Sequence, residues 1–154
     1  MLTGASIQQI LDASVRDISK RVGHLEVIDT CESAAPKLES PYTIYVTTSG
    51  DYQEMFSFSA DEKVLETIAR NMMRGADIDE ESIRICAMEF FNILCGHTIS
   101  SINKKYNTRT RFSIPRMKQG ILSREAEQDV LNRRVFQYPC GKAKFEILDL
   151  KNTN

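Results

Sequence analysis

Hydrophobic residues fall into two rhythms along this chain. From Ser6 to Val22, Ile7, Ile10, Leu11, Val15, Ile18 and Val22 recur at spacings of three and four, the period of one face of a helix, with Gly23 as its stop. Leu25 to Ile28 reads as a short strand, and CESAAPKLESP after it as a loop. The rhythm then changes to that of strands. YTIYVTT (Tyr42 to Thr48) is rich in β-branched and aromatic residues, Ser49-Gly50-Asp51 makes a turn, and YQEMFSFS (Tyr52 to Ser59) returns, a hairpin. Ser59-Ala60-Asp61-Glu62 spells a capping box for a helix that carries Val64, Leu65, Ile68, Met72 and Met73 and ends at Gly75. The acidic run Asp77 to Glu81 suits the positive end of a helix dipole and opens a second helix that reaches about Lys105. Beyond it, RTRFSIP (Arg109 to Pro115) alternates, and RVFQYP and KAKFEILDL flank Cys140-Gly141 as another hairpin. Ser123 to Arg134 is polar and reads as a short exposed helix or a loop. There is no internal repeat or Gly-rich linker, so residues 1–154 read as a single domain. Strands grouped in hairpins predict an α+β fold: an antiparallel β-sheet with long helices packed on one face.

The second helix is unusual. Ile83, Ala87, Phe90, Phe91, Leu94 and Thr98 line one face, while Ile85, Cys86, Met88, Ile93, Cys95 and Ile99 occupy much of the rest. A helix that is apolar almost all round is covered on more than one side, by the sheet and by another helix or a second subunit. Glu89 and Asn92 interrupt it. They stand at i and i+3, so they point the same way from adjacent turns, and Ile85 and Gly96 extend the same stripe. Glycine inside a helix costs about 1 kcal/mol against alanine, and it bares the backbone where something must come close. The plain alternative is a hydrogen bond between Glu89 and Asn92 along the helix surface, worth a few tenths of a kcal/mol. On spacing alone that alternative is favoured. His97 is one place further on; a lone histidine there reads more readily as a surface or capping residue than as a partner contact.

Composition narrows the classes. The net charge is −1 with 42% hydrophobic and 27% charged residues. That balance offers no basic excess for a nucleic-acid backbone and no polybasic patch for an anionic membrane surface. MLTGASIQQI lacks the basic and apolar regions of a secretory signal, and no run approaches 18 uninterrupted apolar residues. The four cysteines, Cys31, Cys86, Cys95 and Cys140, have no zinc-like spacing and read as small buried hydrophobes in a reducing cytoplasm. A cytoplasmic protein with no metal of its own is expected.

The run Met88-Glu89-Phe90-Phe91-Asn92-Ile93-Leu94-Cys95-Gly96 resembles the phosphatase signature of the CheX/CheC/FliY chemotaxis proteins. That signature is Asp or Ser, three residues, Glu, two residues, Asn, twenty-two residues, then Pro. Residues 93 to 114 separate Asn92 from Pro115, as the pattern requires, and the elements from the Tyr42 strand to the long helix come in the family's order. Ile85 stands where the family has Asp or Ser. Only one Glu in the chain has Asn three places on, which makes the single-site CheX-like members the closer match. The resemblance implies a CheC-like fold and hydrolysis of the aspartyl phosphate on a CheY-like response-regulator receiver domain. Asn92 would orient the attacking water, Glu89 would dock the receiver's lysine, and Ile85, Gly96 and Pro115 would meet the partner. It implies no cofactor of the protein's own, with Mg²⁺ held by the receiver, and a homodimer, with neither nucleic acid nor membrane as partner. Two other readings stay open: a non-catalytic binding or adaptor module of the same fold, marked by Ile85, and a sensory domain with a buried ligand pocket.

Overall fold

The computed structural model describes residues 1–31, 36–121 and 129–150. Its strands are β1 (Asp29–Cys31), β2 (Tyr42–Gly50), β3 (Glu54–Ala60), β4 (Thr110–Phe112), β5 (Arg116–Gln119), β6 (Val130–Tyr138) and β7 (Gly141–Asp149). All pair antiparallel, in the order β1-β6-β7-β3-β2-β4, with β5 also paired to β2. The two hairpins read from the sequence lie side by side at the centre, joined through β3 and β7.

Because side chains alternate across a strand, the register Phe56↔Ile147, Phe58↔Phe145 and Ala60↔Ala143 puts one set of apolar residues on one face. The helices α1 (Ala5–Arg21), α2 (Glu62–Met72) and α3 (Glu80–Tyr106) cover it. Phe58 sits at the middle of the seam, with ring centroids 6.0 Å from Phe90, 6.1 Å from Phe91 and 6.4 Å from Phe145. At the other end of the sheet, Tyr138 shares a 2.8 Å hydrogen bond with Ser19 of α1, a pairing that keeps a buried phenol satisfied. Arg134 of β6 reaches α1 by a two-pronged bond to Asp12, at 2.8 and 2.9 Å.

The apolar excess of α3 is accounted for within the chain. Phe90, Phe91, Leu94, Cys95, Thr98, Ile99 and Ile102 are buried, and α1 and α2 both pack against the helix. By length and composition alone α3 could cross a membrane, yet its aromatic residues form the centre of this core.

Several local expectations change. Gly23 does not stop α1 by left-handed geometry; that conformation falls on His24 (φ 47°). Glycine is required at 23 for closeness, since a Cβ there would lie 2.9 Å from the Ser19 carbonyl. The short strand comes later than Leu25–Ile28, as β1, because Leu25 and Val27 are buried in the loop while Ile28 only begins to pair with Gln137. The capping box does not form. Ser59 is still in β3, with its hydroxyl 2.7 Å from that of Thr43, and Asp61 occupies the N-cap position. The Asp61 carboxylate turns outward from α2 to accept from the Glu39 and Lys142 amides, tying a loop and β7 together. Of the polar stretch Ser123 to Arg134, residues 123–128 lie outside the described part and Val130 onward is β6, where Asn132 is buried. Cys95 alone of the cysteines is fully buried; Cys31 is exposed, and Cys86 and Cys140 are half-buried.

The start of α3 is fixed by Asp79, whose carboxylate accepts from the Ser82 amide at 2.8 Å. That bond holds the Asp79 carboxyl below its ordinary 3.8. A group with a lowered folded pKa contributes stability above its unfolded value and loses it as pH falls through the folded one. Asp79→Asn keeps a capping oxygen without the titration. Thermal unfolding should therefore show wild type and variant drawing together as pH drops below about 4, and Asp79 ahead at neutral pH by virtue of its charge at the helix start.

Candidate functional site

The inward residues of α3 determine what faces out. With Phe90, Phe91 and Leu94 rooted in the core, Ile85, Glu89 and Asn92 are exposed and Gly96 is half-exposed. Glu81, also exposed, lies four places before Ile85, so the stripe runs 81, 85, 89, 92, 96 along one side of the helix. Glu89 and Asn92 do not bond to each other, and neither side chain has a hydrogen-bond or ion-pair partner among the described residues. The helix-surface hydrogen bond that spacing alone favoured is not made. A carboxylate and a carboxamide are instead held side by side with their bonding capacity free.

Edge strands β4 and β5 flank the stripe. Phe112 lies beside Gly96, and Met117 shares a cavity wall with Ile83 and Arg84. Residues 112–117 therefore run alongside α3 in the opposite direction. Pro115, between them, is buried. Its ring faces the protein rather than solvent, so it acts on the stripe through the backbone it fixes. Its neighbours β4 and β5 pair with separate stretches of β2, and Ser113 bridges the break by accepting from the Thr47 amide at 3.0 Å. Ile85 is 59% exposed, a bare aliphatic side chain where a polar one would meet no obstacle.

Gly96 carries an independent signal. A Cβ built there would come no closer than 3.9 Å to any neighbour, the Phe112 ring, which is ordinary contact. The fold thus tolerates alanine at a position where glycine costs helix stability. Among the described residues nothing requires the gap.

His97 turns away from the stripe toward α1. Its Nδ1 lies 3.0 Å from the Ser14 hydroxyl and its Nε2 3.4 Å from Asp17. Ser, His and Asp in contact invite a nucleophile reading, but Ser14 is 1% exposed on a packed helix face, out of reach of a substrate. Arg21 competes for the same Asp17 carboxylate with two bonds of 2.8 and 2.7 Å and holds its pKa below the usual value. The trio ties α1 to α3. Burial pushes the Cys95 thiol well up, which removes it as a nucleophile.

Sequence reasoning missed the flanking walls. Phe112 lies in the alternating run RTRFSIP, whereas Met117 belongs to β5 just beyond it, and strand pairing, not pattern, sets both beside α3. Two surface cavities are notable: one of about 290 Å³ next to the start of α3, and an open groove of about 560 Å³ lined by Tyr45, Thr47, Ser113, Ile114 and Arg116. Both are open and part polar, unlike the buried apolar chamber a sensory domain would need.

Comparison with known proteins bears on the family and the fold. The family described as chemotaxis phosphatase CheX matches residues 42–137. No curated protein is recognisably similar in sequence. The fold resembles a chemotaxis protein CheX from Desulfovibrio desulfuricans, at 11% identity and a TM-score of 0.78, covering 93% of this chain and 98% of that one. It also resembles CheX from Vibrio vulnificus, at 18% identity and 0.74, covering 94% and 99%. A third likeness, at 13% identity and 0.72, covering 92% and 96%, is to the CheX–CheY–BeF3–Mg+2 complex from Borrelia burgdorferi. The match over 42–137 contains the whole stripe and both flanking strands, and the protein belongs to the CheX family.

Proposed function

We propose that this protein is a phosphatase for the aspartyl phosphate of a CheY-like response-regulator receiver, with Asn92 and Glu89 as its working residues. The observation that carries the reading is the pair itself: exposed, adjacent, and without partners among the described residues. An acyl phosphate is already activated, so hydrolysis needs a water held in line with phosphorus and charge balanced around it, not a nucleophile from the enzyme. A carboxamide both donates and accepts, so Asn92 can hold that water without any shift in pKa. Glu89, one turn away, supplies the charge that pairs with the receiver's lysine. The receiver's own Mg²⁺ balances the phosphoryl charge. Gly96 leaves the helix backbone bare for the receiver's loop, and Pro115 keeps the neighbouring edge strand in place.

The helix α3 serves as a core element, which supports a soluble, cytoplasmic protein acting on a soluble partner. A homodimer is compatible with this arrangement, although α3 does not require one for its own burial.

The direct test is inorganic phosphate release from purified CheY-like receivers of the source organism, phosphorylated with acetyl phosphate in Mg²⁺, with and without this protein. Acceleration of at least one receiver is the expected result; tight binding without acceleration would favour the adaptor reading, with Ile85 as the mark of a site that docks but does not turn over. Gly96→Ala gives a second measure. Alanine should stabilise the isolated protein by about 0.5–1 kcal/mol in denaturant titrations, and yet raise KM for the receiver, because the added methyl occupies the approach.

A further inference from the structure

The stripe continues past the catalytic pair into a cavity. About 290 Å³ of open space lies where the starts of α2 and α3 meet β2 and β5. Its floor is built from buried Leu65 and half-buried Ile83 and Met117, with half-buried Tyr42 of β2 beside them. Its rim carries Glu62 from the first turn of α2, Glu80 and Glu81 from the first turn of α3, and Arg84. All four rim residues are exposed, and the three carboxylates have no ion pair or side-chain hydrogen bond among the described residues. An acidic helix start alone would be a solvated surface. Here the acids surround an apolar hollow, and Glu81 belongs to the same helix stripe as Glu89 and Asn92. At 1.5 Å per residue, Glu81 stands about 12 Å from Glu89 and about 17 Å from Asn92 along α3. The exposed Ile85 bridges the interval.

We propose that this cavity is a second docking subsite, and that it takes one long basic side chain, lysine or arginine, from the receiver's surface. The inference rests on the phosphatase reading of Glu89 and Asn92, and extends it to the choice of partner. The hollow is open to solvent and floored by three apolar side chains, a shape that suits one long side chain laid along it. Charge selects the kind. Three carboxylates against one guanidinium leave the rim negative, which repels an acidic residue and would leave its charges facing a purely apolar one. A lysine or arginine satisfies both parts, with its methylene stem on Leu65, Ile83 and Met117 and its cation at the rim. Receivers lacking a basic residue at that distance from their phosphorylation site would be rejected, a contact that discriminates among partners sharing the same active-site chemistry.

The experiment separates docking from chemistry. The triple variant Glu62→Gln, Glu80→Gln, Glu81→Gln keeps side-chain size and leaves Glu89, Asn92 and the Asp79 cap untouched. Steady-state phosphate release from the best receiver of an acetyl-phosphate-treated panel should show KM raised about tenfold at low salt, kcat unchanged, and a flatter dependence on ionic strength. Met117→Arg, which places a cation of the protein's own in the hollow, should raise KM in the same way, with an unchanged unfolding midpoint showing that β5 remains paired. Wild-type KM and wild-type salt dependence in the triple variant would overturn the proposal while leaving the catalytic pair standing. If wild type accelerates no receiver, the phosphatase reading fails, and titration with receivers loaded with beryllium fluoride and Mg²⁺ decides the cavity by itself. Weaker binding by the triple variant upholds the cavity; equal binding by both proteins, or none by either, overturns it.

Discussion

Asn92→Ala should abolish phosphatase activity while leaving the protein folded. Removing one group that positions the attacking water and bonds the developing transition state is expected to lower kcat by about 100-fold or more, equivalent to about 2.7 kcal/mol of lost transition-state stabilisation. The folded state should not register the change. Asn92 is exposed and its side chain bonds to nothing among the described residues, so its truncation should alter stability by no more than about 0.5 kcal/mol. Few residues on a helix allow that separation so clearly. A side chain that costs nothing to remove structurally but everything catalytically has its role outside its own fold.

Two further substitutions sharpen the expectation. Asn92→Asp keeps the shape but exchanges the amide donor for a charge facing a phosphoryl group, and should be as inactive as alanine. Asn92→Gln keeps both bonding functions but sets them about one carbon–carbon bond further out, and a misplacement of about 1 Å is enough to cost about 100-fold. If Asn92→Ala instead turns over a phosphorylated receiver at the wild-type rate, the catalytic assignment is wrong whatever the fold. Glu89→Ala should act differently, raising KM as well as lowering kcat, because the receiver lysine proposed as its partner would be engaged before as well as during the reaction.

The parts of this molecule that were legible from the chain are those where one pattern decides the outcome alone. The β-branched and aromatic run Tyr42–Thr48, the hairpin around Cys140 and the period of α1 each give their element, although β2 runs on to Gly50 through the expected Ser49-Gly50-Asp51 turn and the tight turn is Pro139-Cys140, since Gly141 already belongs to β7. The exposure of the candidate pair was legible for a related reason: Glu89 and Asn92 break an apolar surface, and both stand on the open side of α3. What was not legible depends on distant segments. Ser59-Ala60-Asp61-Glu62 spells a capping box, but the hydroxyl of Thr43 across the hairpin claims Ser59, and the amides of Glu39 and Lys142 claim Asp61. Those bonds are made only once β2, β3 and β7 are paired. Pro115 is similar. Its place in a signature gives its number, but only the pairing of β4 and β5 to β2 reveals that it is buried. The cavity beside Glu81 needs four elements brought together and has no local signal at all.

The core makes the converse prediction to Asn92. Phe58→Ala should destabilise the fold by about 3–5 kcal/mol, the loss of a large buried aromatic together with the void it leaves. Phe58 is fully buried in one cluster with Phe90 and Phe91 of α3 and its cross-strand neighbour Phe145 of β7, so its ring joins sheet to helix. For a chain of this length the unfolding midpoint should fall by about 10 °C, at about 2–4 °C per kcal/mol. A loss under 1 kcal/mol in a denaturant titration would show that the three rings of α3 and β7 are not gathered around it. The consequence reaches the site. Phe90 and Phe91 are the inward anchors that point Glu89 and Asn92 outward, so releasing them from Phe58 loosens the turn that carries both proposed catalytic groups. Phosphate release by the folded fraction of Phe58→Ala should accordingly fall, measured well below its midpoint, whereas the stability costs of Phe58→Ala and Asn92→Ala should add, one residue belonging to the interior and the other only to the surface.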